Sequence, residues 1–373
     1  MSAESWRDAL ESVSTEVVAK HAAEVDSQGK FPDESIAALA KAGLLGAVSA
    51  KEVGGLALGP RGASEIIRRL SQECGSTGMV TCMHYCGAAV IEAHGDKETR
   101  KKAATGEHFS TLAFSEAGSR SHFWIPVSTA TQNGEGIKLD AKKSWITSAS
   151  KATAYVWSSR PLAAEGLSTI WLVPADAPGL KIQGPFNGLG LRGNDSSPAM
   201  ADGVTVSVEN MLGDDGKGFD VMMGVVLPYF NLLNASCTIG LMEGAVARTV
   251  KHAGTKYDYS GTALNELPTI RNYIARMQIK TDMVKSLLND TIDAMEKGRE
   301  DTMLRVLECK AAAAETATEV LDVAMRVCGG AAFRKDVGVE RYFRDTRAAG
   351  IMAPTTDVLY DFIGKAVTGL PLF

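Results

Sequence analysis

The sequence predicts an α+β chain of three successive parts: an N-terminal helical domain, a middle antiparallel β domain and a C-terminal helical bundle. Two observations carry this. The apolar residues recur at helical spacing up to about residue 110, then give way to short segments rich in Val, Thr, Ile and Trp. From about 216 to 373 the chain returns to long helical runs, one of them 27 residues (301–327) without Gly or Pro. Runs of helix, then strand, then helix argue against an alternating βαβ fold. The domains are therefore read as 1–110, 111–215 and 216–373.

In the first domain, SIAALAKAGLLGAV (35–48) is amphipathic and punctuated by glycine, and GASEIIRRLSQEC (62–74) follows a glycine-rich loop. VTCMHYCGAAVIEAHG (80–95) is apolar nearly all round, as a buried helix is. In the second domain STLAFSE, VSTATQ, GIKLDAKKSWIT, ATAYVWSS, STIWLVPA and DGVTVSVEN read as strands. Asn133-Gly134 is a hairpin turn signal between two of them. In the third domain, 222–256 and 265–297 read as two further long helices that join 301–327 in an antiparallel bundle.

The chain of 373 residues is 45% apolar and 22% charged, the balance of a globular protein. A net charge of -5 and the absence of a basic run argue against a nucleic-acid partner. No apolar stretch is read as approaching the roughly 20 residues of a membrane span. The opening MSAESWRDALES lacks the basic and apolar regions of a secretory leader, so the expected location is cytoplasmic. The six cysteines form no CxxC pair and are expected to be free and buried. In CMHYC (82–86) the two cysteines would share a helix face that His84 does not join, so no metal site is expected.

Five segments, in order, resemble the acyl-CoA dehydrogenase superfamily: FPDESIAALAKAGLLGAVSAKEVGG (31–55), LAFSEAGSRSHF (112–123), KSWITSASKATAYV (143–156), GLGLRGNDSSPAMADGVTVSVENMLGDDGKGFDVMM (188–223) and VCGGAAFRKDVGVERYFRDTRAAGI (327–351). The resemblance implies a helical domain, a β domain and a four-helix bundle that bind FAD and assemble as a homo-oligomer, dimer or tetramer. It implies that Phe114 and Ser115 hydrogen-bond the flavin pyrimidine edge, where preorganised donors stabilise the charge of the reduced ring. Ser121 falls where a serine holds the pyrophosphate or the CoA. Trp145 falls against the flavin and Thr147 near its N5. Gly329 and Gly330 would let backbone approach the FAD of a neighbouring subunit, and Thr355 would touch its adenosine half. Arg344 and Asp345 are read as a structural pair, and 188–192 as part of a strand.

The departures are as informative. The family's base, a glutamate, falls at Ala353, which cannot take a proton. A second branch of the family places it on the first bundle helix, near Phe230 here, with Asn231 in place of an arginine. Neither is a carboxylate. Lys256 and Tyr259 replace an arginine and a phenylalanine, Arg326 replaces a glutamine that contacts FAD, and Arg120 and His122 replace a glycine and an aspartate. His84 and Tyr229 are the candidate substitute bases, with Tyr85 and His122 behind them. The resemblance thus implies an FAD-dependent oxidoreductase that oxidises the CH–CH bond of an acyl thioester by hydride transfer to flavin N5. The alternatives are a flavin-dependent monooxygenase of the same fold and a non-oxidative thioester reaction on the same scaffold.

Overall fold

The computed structural model describes residues 5–372 except Arg120 and Glu135. The substitution noted at Arg120 lies outside the described residues. Helix α1 (Ser5–Val13) runs through a π turn (Ser14–Val18) into α2 (Ala19–Gln28). Then come α3 (Asp33–Lys41), α4 (Gly59–Glu73), α5 (Gly75–His94) and α6 (Lys97–Thr105). Helix α5 is buried from Gly75 to Ile91, which explains why its sequence shows no polar face.

The chain then forms β1 (Ser110–Ala113), β2 (Thr129–Asn133), β3 (Gly136–Ile146), β4 (Ala154–Ser159), β5 (Thr169–Pro174), β6 (Leu180–Ile182) and β7 (Ser197–Val206). They make two sheets, ordered β1-β4-β5 and β2-β3-β7-β6. The β2–β3 hairpin closes at the Asn133–Gly136 pair, with Gly134 at positive φ. The sheets pack over Tyr155, Trp157, Trp171, Ile137, Leu139 and Val204, the core of this domain. One expectation needs correction. The domain is not wholly antiparallel, because β1 pairs with β4 in parallel. The β2–β3 hairpin of the other sheet intervenes between them, a connection long enough to bring the chain back in the same direction.

The third part holds α7 (Gly218–Val221), a π turn (Met222–Val226), α8 (Leu227–Ala253), α9 (Pro268–Lys297), α10 (Thr302–Cys328), α11 (Val339–Asp345), α12 (Arg347–Ile351) and α13 (Thr356–Thr368). Helix α10 packs on α8, α9 and α13, and α8 also packs on α4 and α5. The N-terminal helices and the bundle therefore share one hydrophobic core. The run Gly218–Ala253 is long and apolar enough to cross a membrane, contrary to the sequence expectation, but 83% of its most apolar window is buried within the protein. Its hydrophobicity comes from sitting at the centre of the bundle.

Two long-range links fix the last domain to the others. Arg344 on α11 makes a bidentate pair with Asp26 on α2 (2.8 and 2.6 Å) and also binds Glu340 (2.6 Å). Asp345 accepts the Leu191 N–H at 2.6 Å. The expected Arg344–Asp345 pair is thus replaced by two separate contacts, because successive residues of a helix point in different directions.

Candidate functional site

A cavity of about 1250 Å³ opens where the three parts meet. Met83 of α5, Leu112 of β1 and Phe114 form one wall, and Val226, Leu227 and Phe230 at the start of the long bundle helix form a second. The end of β3 (Ser144 to Thr147), the 185–198 loop and α11–α12 with Met352 and Ala353 complete it. Phe114, Ser115, Ser121, Trp145 and Thr147 all line it, and so does Ala353.

The backbone at its rim is strained. Trp145 (φ 59°), Ser148 (φ 58°), Leu191 (φ 48°) and Asp195 (φ 50°) are four of the five non-glycine residues at positive φ among those described. Each such conformation costs on the order of 1–3 kcal/mol and persists only where its surroundings enforce it. The enforcement is visible. Ser148 N–H donates to the Asn194 carbonyl (2.8 Å), and Ser150 N–H and Oγ donate to the Asp195 carboxylate (2.6 and 2.8 Å). The register of β3 against β7 breaks between Lys143 and Ile146, and this bulge turns the Trp145 indole outward, 71% exposed. Residues 188–192 are not the expected strand. They form an irregular loop leading into a short turn at Arg192–Asn194. Gly190 is required there, since a Cβ would sit 2.4 Å from the Arg344 backbone.

Beneath this rim lies a buried ion pair. Lys143 donates to Glu116 (2.5 Å) and to the Ser158 carbonyl (2.7 Å), and both charged side chains are fully enclosed. Glu116 also accepts from the Val127 and Ser128 N–H groups and the Ser128 hydroxyl. Burial alone would raise the Glu116 pKa, but Lys143 and these donors hold it below the usual carboxylate range.

The candidate bases fall elsewhere. His84 does not reach the cavity: its Nδ1 accepts the Ser110 N–H (3.1 Å), its Nε2 faces the Leu45 carbonyl (3.1 Å), and its ring stacks on Phe109. Burial, with His108 nearby, pushes its pKa down to about 3, so the imidazole is neutral. It ties α5 to β1 and to the loop after α3. Tyr229 packs into the core while its neighbour Phe230 lines the cavity, and burial raises its pKa. Tyr85 donates to the Leu44 carbonyl (2.6 Å), and His122 stands exposed against Trp124. Among the described residues the titratable side chains on the lining are Glu116, Arg344 and Arg347. The first two are engaged as described, and Arg347 lies over the Phe343 ring, 4.2 Å from its centroid.

Lys256, Tyr259, Arg326, Gly329, Gly330 and Thr355 do not line this cavity. The first five lie on the surface, Tyr259 with 91% exposure, and Thr355 precedes α13. No group of His, Cys, Asp or Glu among the described residues is placed to hold a metal. Sequence reasoning missed the 185–198 loop, Arg347 and Lys310. Only Lys310, a lysine within an apolar helical run, left a signal.

A helical domain, a two-sheet domain and a helical bundle around one shared cavity define a class of large-cofactor enzyme scaffolds. Three family models match the chain in succession: the acyl-CoA dehydrogenase N-terminal domain over 2–106, the middle domain over 111–204 and the C-terminal domain over 216–368. The chain belongs to the acyl-CoA dehydrogenase family, an oxidoreductase family whose cofactor is FAD. It is 24% identical to a probable acyl-CoA dehydrogenase, YngJ, of Bacillus subtilis, over 94% of both chains. Its fold is similar to that of butyryl-CoA dehydrogenase from Megasphaera elsdenii (TM-score 0.90, 20% identity, 99% of each chain). It is also similar to that of PigA in complex with FAD (TM-score 0.89, 18% identity, 99% of this chain and 98% of the other).

Proposed function

We propose that the protein is an FAD-dependent oxidoreductase that oxidises the CH–CH bond of an acyl thioester bound in the 1250 Å³ cavity. The observation that carries this reading is the pairing, in one cavity, of a polar wall and an apolar wall. Ser115, Ser121, Thr147 and Asn194 lie on the first, and the Asn194 Oδ1 is buried without a hydrogen-bond partner. The Ser115, Ser121 and Thr147 side chains beside an outward-turned indole fit a planar, hydrogen-bonding ring system. FAD, when bound, supplies the hydride acceptor. Trp145 would lie against the ring, and Met83, Leu112, Val226, Leu227 and Phe230 would exclude water from an acyl chain. The relatives named for acyl-CoA dehydrogenation support the thioester. The five surface residues from Lys256 to Gly330 would meet the cofactor of a second copy in a cytoplasmic homo-oligomer.

The α-proton is where the chain departs. Ala353 leaves the wall without an acceptor, and neither His84 nor Tyr229 reaches the cavity. The proton then passes to solvent or to the substrate itself, and the substrate is one whose C–H bond is already acidic. The same observation favours a second reading, a monooxygenase, since that chemistry needs no carboxylate at 353. The visible spectrum without oxygen separates the two. Bleaching of the oxidised flavin by members of a panel of acyl-CoA thioesters is the expected result. A yellow protein that no thioester bleaches, but that consumes oxygen with supplied reduced flavin, would replace the first reading by the second.

A further inference from the structure

Behind the wall that carries Ala353 lies a buried lysine with no carboxylate partner. Lys310, on the α10 face that meets α8, has no solvent exposure. Among the described residues no carboxylate lies within ion-pair distance of it. Its ammonium donates to three carbonyls: Ala349 (3.0 Å), Met352 (3.0 Å) and Pro354 (2.8 Å). The Phe230 ring, which lines the cavity, lies 5.9 Å from the same nitrogen.

Burial lowers the Lys310 pKa to about 7, so the side chain carries its full set of three N–H donors below that pH, and a methionine would fill the space more cheaply. The arrangement makes sense as a local one. Helix α12 is short and ends at Ile351, so its last carbonyls find no following turn of N–H groups. A pyramidal ammonium offers three donors, one for each carbonyl. The opposite face of this segment is the cavity lining: Ala348, Ile351, Met352 and Ala353. From α8, Asn234 approaches the Met352 sulfur at 3.6 Å, and Asn231 is buried with both side-chain polar atoms unpartnered. Helix α8 otherwise meets this wall through apolar packing, with Ala348, Met352 and Ala353 against the shared core.

We propose that Lys310 is a positioning residue: acting from inside the bundle, its ammonium sets the place of the 348–353 wall and so the fit of the substrate's reacting segment. The wall has no charged side chain at 353 to steer the substrate, so its backbone position determines the fit. This role rests on the reading of the cavity as the flavin and substrate site.

The test uses the full-length FAD-loaded protein and its Lys310→Met and Lys310→Gln variants. Amide hydrogen exchange is followed in the peptide 346–356 and in β3 and β7, and binding of hexanoyl-CoA is followed by its perturbation of the flavin spectrum. In Lys310→Met, exchange in 346–356 is expected to rise at least about tenfold, for the loss of charge-assisted hydrogen bonds. The β3 and β7 amides stay unchanged. FAD affinity stays within about threefold, while hexanoyl-CoA binding weakens about tenfold, or roughly 1.4 kcal/mol. Lys310→Gln, which keeps two N–H donors, falls between, and it decides the matter if the methionine variant does not fold. Unchanged exchange in 346–356, or an equal rise throughout α8, α9 and α10, overturns the proposal. If hexanoyl-CoA does not bind the wild-type protein, the member of the acyl-CoA panel that does bind takes its place; if none binds, the thioester reading falls, and the exchange pattern alone decides Lys310.

Discussion

At the scale of single residues, the cavity wall is open to a direct trial. Ala353→Glu places a carboxylate on the cavity wall, at the position where the sequence resemblance puts the family's base. If the substrate is a thioester, anaerobic bleaching should accelerate by roughly 10²- to 10⁴-fold, the usual worth of a general base. No acceleration with any bleaching thioester would mean that proton removal does not limit the rate. Asp345 makes a second prediction. Burial raises its pKa from the ordinary 3.8 to about 6, with the Leu191 N–H and Arg341 opposing the rise. Between these values the folded state keeps a proton that the unfolded state releases, so stability contributed by this group falls as pH rises through that window. Asp345→Asn keeps the acceptor for Leu191 and loses the titration. Relative to wild type it should gain up to about 3 kcal/mol between pH 4 and pH 7, read by urea denaturation. Trp145 combines strain with exposure. Trp145→Ala should leave stability within about 1 kcal/mol and weaken FAD binding by about 1 kcal/mol, the worth of one stacked aromatic contact.

At the scale of elements, β3 is the joint between structure and site. Near its end it holds Lys143 against Glu116, and two residues later the bulge turns Trp145 outward at the cavity rim. Lys143→Met strands a buried carboxylate and should cost about 3–5 kcal/mol in urea denaturation, whereas Lys143→Met with Glu116→Gln should recover most of that loss. The major elements were legible because period and turn chemistry are local properties: the long helices and β2–β5 stand within a few residues of their expected places. What was not legible depends on distant partners. The parallel pairing of β1 needs a contact 44 residues away, between Ser110 and Ala154. The apolarity of the bundle's first helix reflects burial that only the assembled fold supplies. His84 looked like a base because a histidine on an apolar helix reads the same whether its nitrogens face a cavity or two backbone groups. Residues 188–192 were expected as strand because Gly190-Leu191-Arg192 resembles the family's Gly-x-Arg strand, and nothing local records the left-handed backbone of Leu191. The site residues carried by contiguous stretches, from Phe114 to Thr147, come together in one cavity. The residues expected to touch a neighbour's cofactor stay apart in a single copy.

At the scale of the whole molecule, the cavity is a joint property of three parts, so filling it should tighten all of them. FAD at about 100 times its dissociation constant should raise the unfolding free energy by about 2.7 kcal/mol, seen as a concentration-dependent thermal midpoint. A midpoint independent of FAD would mean that the cavity does not bind it. The Arg344–Asp26 pair joins residues 318 positions apart, and the lining itself runs from Met83 to Ala353. During synthesis, then, the sheets, which pack over a core of their own, can emerge and fold while the pocket still lacks one side. The pocket gains its last wall only when residues 344–353 have left the ribosome, so through most of its own making each copy has no enclosed place in which a ligand could lodge.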